Sequence, residues 1–256
     1  MSILKHTNQP LIYLGKPLLY QQSVAPTPSY PTDGLLARYT FDDDLTDDYD
    51  SMSDLVQGAA GTATWSYNSD TPGSIGKSIK VGSNDEGPGY VKNEDDASIY
   101  NALTGTSSFS ISMWGKIDNT SQDLAFLWSF YSGGTNRLAL GFGGPSYKPS
   151  GAVDGCFYIS LGNVIIDNVD YRASDAWRHY VYTYDGTTQK VYVNNVEKYS
   201  TARGSLSSTD HFNYGSVNGS WMIGSNSNGY IDLFYHYNKA LTTTEITTLY
   251  NSGSGV

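Results

Sequence analysis

The sequence predicts an all-β protein, built as a two-sheet antiparallel jelly-roll sandwich with a short C-terminal helix and an extended N-terminal arm. Two observations lead to this fold class. The 256-residue chain holds 27 Gly and 22 Tyr but only 16% charged residues, a composition that suits many short strands. Turn residues also recur roughly every ten positions between alternating segments, which is the spacing typical of a sandwich.

We expect three parts along the chain: an arm with a Pro-rich linker over residues 1–33, the jelly-roll domain over 34–252 and a tail over 253–256. Two similar apolar blocks in the arm, separated by Gly15 and Lys16, predict either a small hairpin or an extended segment with two anchors. The arm is expected to dock on another chain, with packing on its own sandwich as the alternative. The docking residues are Leu11, Ile12, Tyr13, Leu18, Leu19 and Tyr20.

Clear strand patterns follow the linker. Residues 35–41 alternate, with odd-numbered apolar residues on one face, and residues 109–117 do the same with Trp114 on the opposite face. The pairs Asp185-Gly186 and Asn194-Asn195 supply tight turns, because these residues tolerate positive φ. Further strands are expected at 78–81, 125–131, 137–142, 156–161, 164–166, 177–184, 189–193, 196–199, 222–224 and 230–237.

The last predicted element is a helix. Thr242 is a good N-cap and Glu245 follows three residues later, which makes a capping box. Leu241 and Ile246 are placed to form a hydrophobic staple across this start. Gly253 is expected to follow the end of the helix.

Four segments, 36–42, 109–117, 177–197 and 229–250, together resemble the laminin G-like and concanavalin A-like lectin and glucanase superfamily. Their order and spacing span about residues 34–252. In this family the final segment usually contains an Ile-Asp-Asp run. Here Asp232 keeps the first aspartate and Leu233 replaces the second, while Asn194-Asn195 replaces the usual Asp-Gly-like turn. The resemblance implies a jelly roll and raises the question of sugar binding or glycan hydrolysis.

Calcium is the metal that the sequence favours. Six aspartates crowd the loop after the first jelly-roll strand: Asp42, Asp43, Asp44, Asp47, Asp48 and Asp50. Calcium takes six to eight oxygen ligands, which carboxylates and carbonyls supply. The resemblance implies that this loop lies close to the Asp232 strand, where family members often hold calcium. We therefore expect Asp42, Asp44 and Asp232 as ligands, with a solvated acidic loop as the alternative.

Sugar-binding sites place aromatic rings beside amides or carboxylates, commonly in loops. Several clusters in the expected loops have this composition, and the alternative is that their aromatic rings simply cover the core. The candidate ligand-binding residues are Tyr67, Asn68, Tyr147, Phe212, Tyr214, Asn226 and Asn228.

No catalytic residue is expected. Glycan hydrolysis needs two carboxylates close together, yet no predicted strand carries two glutamates. The four glutamates fall in a Gly-rich stretch, at a hairpin end and in the helix cap: Glu86, Glu94, Glu197 and Glu245. The histidines are scattered and no Gly-x-Ser-x-Gly elbow is present. The single cysteine, Cys156, lies among apolar residues and is expected to be a buried thiol.

The formal net charge of -10 argues against a nucleic-acid partner, which requires a basic surface. The sequence shows neither a signal-peptide pattern at its start nor an apolar run of the ~20 residues that span a membrane. These features, with the apolar arm and the Tyr-, Gly- and Asn-rich composition, favour a subunit of an extracellular particle such as a phage virion.

Three functions follow from this reading, in order of preference. The first is a non-catalytic virion decoration or adhesion protein, attached to other virion proteins through residues 1–33, with an outward-facing lectin-like domain for cell-surface glycans. Such a protein is expected to be a homo-oligomer or an assembly subunit. The second is a secreted carbohydrate-binding module of a glycan-degrading system. The third is a glycoside hydrolase.

Overall fold

The structure is a computed structural model that describes residues 12–13, 16–17, 29–49, 54–59, 66–74, 76–81, 89–93, 108–117, 124–131, 138–143, 148–159, 164–171, 176–203, 211–214, 216–217, 221–222 and 229–256. Two antiparallel sheets form a sandwich, and one helix packs on the outer face of the larger sheet. The predicted fold class is therefore confirmed. None of the helices within these ranges is long and apolar enough to cross a membrane.

The smaller sheet has seven strands. Written from edge to edge, they are β12 (Val164–Asp167), β11 (Phe157–Ile159), β10 (Leu138–Gly143), β9 (Leu124–Tyr131), β16 (His211–Tyr214), β7 (Gly89–Asn93) and β4 (Val56–Ala59). Strands β9 and β10 pair antiparallel, and so do β11 and β12.

The larger sheet has eight strands. They are β15 (Val196–Ala202), β14 (Thr188–Val193), β13 (Arg178–Tyr184), β8 (Phe109–Ile117), β19 (Gly229–Tyr237), β6 (Ser78–Val81) and β5 (Ser66–Asn68), with β3 (Leu35–Tyr39) also paired to β19. The predicted bounds of β6 and β8 match the observed ones. Two further short pairs form separate two-stranded sheets: β1 (Ile12–Tyr13) with β2 (Lys16–Pro17), and β17 (Ser216–Val217) with β18 (Trp221–Met222).

Strand β19 has two partners along the edge that faces away from β8. Its first residues pair with β6 up to Ile231, and its last residues pair with β3 from Phe234 onward. Between them the register against β8 shifts, and Leu233 takes a left-handed φ of 47°. A branched side chain is uncommon in this backbone region, which favours Gly, Asn and Asp. The strand therefore bulges where β3 ends and β6 begins.

The main core fills the space between the two sheets. The odd-numbered residues of β8 and the even-numbered residues of β13 point into it, as strand alternation requires. Among its fully buried rings, Tyr182 lies 5.5 Å from Phe109 and 5.4 Å from Trp128, measured between ring centroids. Because these three rings come from both sheets, they join the two layers. Cys156 is buried, as the sequence predicts.

The helix α1 (Thr243–Tyr250) covers the outer face of the larger sheet. Its predicted capping box is present, with the Thr242 side chain accepting from Glu245 N and the Glu245 side chain accepting from Thr242 N. Ile246 and Leu249 are buried against a second apolar cluster. The helix ends before Gly253, as expected. Its left-handed C-cap is Asn251, since Asn also tolerates positive φ.

We expect Thr242→Ala to lower the free energy of unfolding by about 1 kcal/mol, since it leaves a helix N–H without its side-chain acceptor. Urea unfolding followed by circular dichroism measures the loss. Thr244→Ala is the matched control, because Thr244 is exposed in the first turn and does not cap it. Equal stability of the two variants would contradict a stabilising role for the box.

Residues on both sides of 34–252 contact the sandwich. Tyr30 packs against the second apolar cluster, and the Tyr237 hydroxyl donates to Pro31 O at 3.0 Å. At the other end, Gly255 lies against Leu233 and Trp114, close enough that a Cβ would approach Leu233 Cδ1 to 2.4 Å. Residues 29–33 and the tail therefore lie on the sandwich.

Candidate functional site

An acidic junction lies where β3 ends, β6 begins and β19 bulges. We define it as Asp42, Asp43, Gly76, Lys77 and Asp232. Asp42 Oδ1 accepts from Lys77 N at 2.5 Å, and Lys77 Nζ lies 2.6 Å from Asp43 Oδ1. Gly76 has φ 72°, and a Cβ there would lie 2.3 Å from Asp42 Oδ1. The junction thus depends on a glycine for the close approach of the Asp42 carboxylate.

Asp232 is the buried member of the junction, with only 2% of its surface exposed. Its Oδ1 accepts from Leu233 N at 2.7 Å. Burial first, and the negative charge of Asp42 second, raise the pKa of Asp232 from 3.8 to about 9. The hydrogen bond from Leu233 and the positive charge of Arg38 oppose the rise. The carboxyl group is therefore protonated at neutral pH unless a cation lies beside it.

The three predicted calcium ligands are only partly brought together. The charge of Asp42 acts on Asp232, so these two carboxyl groups are neighbours, as the family resemblance implies. Asp44 instead accepts from Thr46 N at 3.2 Å and from Thr46 Oγ1 at 2.9 Å. Within the described ranges, no three His, Cys, Asp or Glu side chains are grouped to hold a metal ion. Calcium at this junction stays a prediction.

The pair Asp42 and Asp232 still fits part of a calcium site. A buried carboxyl group beside a like charge is stabilised as an anion only when a cation compensates both charges. Calcium accepts backbone carbonyls and water beside carboxylates, so two carboxylates form an incomplete but compatible donor set. These two residues would hold the ion, which would supply positive charge at the edge of the sheet.

Two predicted sugar-binding residues lie in a strand instead of a loop. Tyr67 and Asn68 belong to β5, the edge strand that pairs with β6. Burial raises the pKa of Tyr67, and the negative charges of Asp44 and Asp43 raise it further, so the ring lies beside the acidic loop. Asn68 Oδ1 accepts from Asp70 N at 2.8 Å. The loop expectation was wrong because pairing with β6 fixes this polar segment as a strand.

Phe212 and Tyr214 were also expected in a loop, but they belong to β16, between β9 and β7. Tyr147, Asn226 and Asn228 lie outside the described residues.

Of the predicted docking residues, Ile12 and Tyr13 form β1 of the small hairpin, which agrees with one of the two expected forms of the arm. Leu11, Leu18, Leu19 and Tyr20 also lie outside the described part of the chain.

The sequence analysis missed an aromatic patch on the outer face of the larger sheet. Trp177 Nε1 donates to Asp70 Oδ1 at 2.8 Å, and Lys116 Nζ lies 2.6 Å from Asp70 Oδ2. The Trp177 and Tyr230 rings meet edge to face, with centroids 6.2 Å apart. Lys80 and Lys116 both lie over the Tyr230 ring. These residues come from five separate strands and loops, so only the strand order brings them together.

Two of the four glutamates are described, and both have structural contacts. Glu245 caps the helix and lies 2.7 Å from Lys239 Nζ. Glu197 Oε2 lies 3.1 Å from Lys190 Nζ. Glu86 and Glu94 lie outside the described ranges.

The structure is similar to several solved domains. It matches domain 4 of AbnA, an extracellular GH43 arabinanase from Geobacillus stearothermophilus solved with arabinotriose, with a TM-score of 0.60 and 20% identity over 83% of this chain and 96% of that chain. It also matches the binding domain of Paraclostridial Mosquitocidal Protein 1, with a TM-score of 0.61 and 17% identity over 86% of this chain and 52% of that chain.

The binding domain of botulinum neurotoxin serotype C1 is similar to the same degree, with a TM-score of 0.61 and 15% identity over 86% of this chain and 52% of that chain. The chain thus spans about half the length of these toxin domains. At these identities the likeness shows the fold alone. A comparison with curated protein sequences gives no significant match.

The sequence itself matches the family model of the Concanavalin A-like lectin/glucanases superfamily over residues 85–247, which is more than half of the chain. This agrees with the order of strands and with the capped helix that follows β19. The chain belongs to the concanavalin A-like lectin/glucanases superfamily.

Proposed function

We propose that this chain is a non-catalytic glycan-binding domain that mediates adhesion of a particle, such as a virion, to a cell surface. The observation that carries the binding function is the likeness to arabinanase domain 4, which was solved with arabinotriose and which the chain matches over 96% of that domain's length. The two toxin domains that share the fold are also binding domains by name. The fold that these domains share supports a ligand-binding function for this chain over a catalytic one.

Attachment through the N-terminal arm is the second part of the proposal. The arm contains the small β1–β2 hairpin, and residues 29–33 hold its base on the sandwich. An apolar hairpin on an anchored base suits docking to a neighbouring subunit of a particle. Other virion proteins, or further copies of this chain, are the proposed partners.

A glycan array with the full chain tests the binding function. We expect binding to a defined set of glycans, with dissociation constants in the micromolar to millimolar range. The array is run with calcium and with a chelator, so that a calcium requirement is visible. Absence of binding to any glycan under both conditions would overturn the glycan-binding proposal.

Deletion of residues 1–28 tests attachment, because it keeps Tyr30 and Pro31 on the sandwich. We expect the shortened chain to fold, to bind the same glycans and to be lost from the particle. Incorporation into the particle at the level of the full chain would contradict attachment through the arm. A chain that binds glycans but never enters a particle would favour the alternative, a secreted carbohydrate-binding module. The arabinanase domain is the observation that favours this alternative.

We also propose that Asp42 and Asp232 hold calcium in the acidic junction. Leu233→Asp places a further carboxylate at the left-handed position that Leu233 occupies with φ 47°. We expect calcium affinity to rise about tenfold, since the charge count of the ligands sets affinity. Leu233→Asn is the control, because it suits the same backbone without adding charge. Equal calcium affinities of the two variants, measured by calorimetry, would argue against a calcium ion at this position.

A further inference from the structure

A groove lies at the open side of the sandwich, where the edge strands of the two sheets approach each other. Strand β12 ends the smaller sheet and β15 ends the larger one. The groove between them has a volume of about 570 Å³ and is lined from β12, the segment after it, the start of β13 and the β14–β15 turn. This volume falls within the roughly 300–1,000 Å³ that ligand pockets occupy.

Two valines give the groove apolar walls. Val169 is 52% exposed and Val196 is 56% exposed, and both line the groove. They come from the edges of different sheets, because Val169 follows β12 and Val196 begins β15. Exposed valines are ordinary when single, but two that line one groove offer apolar surface to a ligand bound there.

Two polar side chains of the groove are held in place by hydrogen bonds, and each keeps one atom that can still bond to a ligand. Asp167 Oδ2 accepts from the Tyr171 hydroxyl at 2.8 Å and from Lys198 Nζ at 3.1 Å, whereas its Oδ1 has no hydrogen-bond partner among the described residues. Asn194 Oδ1 accepts from His179 N at 2.8 Å, and its amide nitrogen is left without a partner in the same part of the chain. The groove thus presents one acceptor and one donor on rigid side chains.

The charges of the described residues that line the groove balance. Asp167 and Asp170 supply two negative charges, and Arg178 and Lys198 supply two positive ones. Arg178 is held over the Tyr171 ring at 4.9 Å from its centroid, and its Nη1 donates to Tyr171 O at 3.1 Å. A chain with a formal net charge of -10 therefore has a locally neutral groove. Such a groove favours a neutral ligand over an anionic or cationic one.

We propose that this groove is a subsite for a neutral sugar, with the hydroxyls of the ring bonded to Asp167 Oδ1 and Asn194 Nδ2 and its C–H faces against Val169 and Val196. A sugar ring combines hydroxyl donors and acceptors at its edge with apolar C–H faces, which matches this arrangement. The assignment rests on the proposed glycan-binding function and names its site. It lies apart from the acidic junction and from the aromatic patch.

Two variants test the subsite in the full chain, each titrated with arabinotriose and with the strongest neutral glycan of the array. Val196→Lys places a charged chain across one wall, and Asn194→Asp keeps the acceptor for His179 N while removing the free donor. We expect each to weaken binding by about tenfold or more. Val153→Lys is the matched control, because Val153 is also an exposed valine, at 42%, but lies outside the groove. It should bind as the parent does, and thermal unfolding should show all three variants folded.

The outcomes separate this site from the function on which it rests. If both variants, Val196→Lys and Asn194→Asp, bind neutral glycans as tightly as the parent chain does, the subsite is overturned. The glycan-binding proposal would still stand. A parent chain that binds only acidic glycans overturns the neutral class of ligand. Failure of the parent chain to bind any glycan overturns the function itself, and the subsite with it.

Discussion

Between pH 6.5 and pH 9, without divalent cations, the free energy of unfolding should fall by about 3 kcal/mol, and Asp232→Asn should abolish most of this fall. The folded-state pKa of Asp232, about 9, lies above its ordinary value of 3.8. The folded protein therefore holds a proton that the unfolded chain has released, and stability is lost as the pH rises toward 9.

The lower limit of this pH range, 6.5, is set by a second buried group, His179. Its titration changes the free energy of unfolding in the opposite direction. Burial lowers the pKa of His179 from 6.5 to about 3. Its contribution to stability therefore grows as the pH rises to 6.5, and below pH 6.5 this gain offsets the loss caused by Asp232. The lowered pKa values of Asp70, Asp185 and Glu245 act only below about pH 4.5. Above pH 6.5, Asp232 is thus the dominant described group that titrates.

Guanidinium unfolding at several pH values measures this effect, with Asp232→Asn as the matched variant because its side-chain oxygen can still accept from Leu233 N. If the proposed calcium ion binds, millimolar calcium should stabilise the parent protein at pH 8 far more than at pH 5, and should not stabilise Asp232→Asn. Parallel pH profiles for the two proteins would show that the Asp232 carboxyl group is not protonated in the folded state.

Tyr182→Ala should lower the free energy of unfolding by about 4 kcal/mol, as expected when a large side chain is removed from a packed core. The ring is fully buried between Phe109 of the same sheet and Trp128 of the other. Its hydroxyl donates to Gln189 Oε1 at 3.0 Å and accepts from Arg203 Nη1 at 2.9 Å. Removal of this side chain therefore opens a cavity and leaves two polar groups unsatisfied.

Tyr182→Phe separates these two effects, since it keeps the ring and removes the hydroxyl. We expect a smaller loss of about 2 kcal/mol, because Gln189 and Arg203 lose their shared partner in a buried setting. Arg203 depends on this bond, since its Nε and Nη2 are buried without partners in the described part of the chain. Urea unfolding measures both variants, with Tyr49→Ala as an exposed control that should change stability by less than about 0.5 kcal/mol. Losses of equal size for Ala and Phe would assign the whole effect to the hydroxyl.

Much of the fold could be predicted because local patterns and tertiary packing agree. The alternation of β3 and β8, the turn at Asn194-Asn195 and the capping box at Thr242 each depend on residues within one short segment. The strands that were missed, such as β5 and β16, lack this local signal. Their polar and aromatic residues resemble loop sequence, and only pairing with β6, β7 and β9 makes them strands.

The site could be predicted only where the family resemblance supplied a tertiary contact. That resemblance places Asp42 near Asp232, and the structure brings the two together. It gives no hint of the left-handed backbone at Leu233 or of the close approach of Gly76 to Asp42. The groove between β12 and β15 was also missed, since Asp167, Asn194 and Val196 come together only through the sheet order. Burial and charge balance are properties of the assembled sandwich.

We expect this domain to bind a glycan and to leave it intact. Calorimetric titration of the full chain with its best array glycan, followed by chromatography of the same sample after prolonged incubation, tests both halves at once. We expect saturable binding that Val196→Lys weakens, and an unchanged glycan at the end. The contrary result is the accumulation of shorter sugars in proportion to the protein concentration, together with the loss of this hydrolysis in Asp232→Asn. It would indicate a hydrolase.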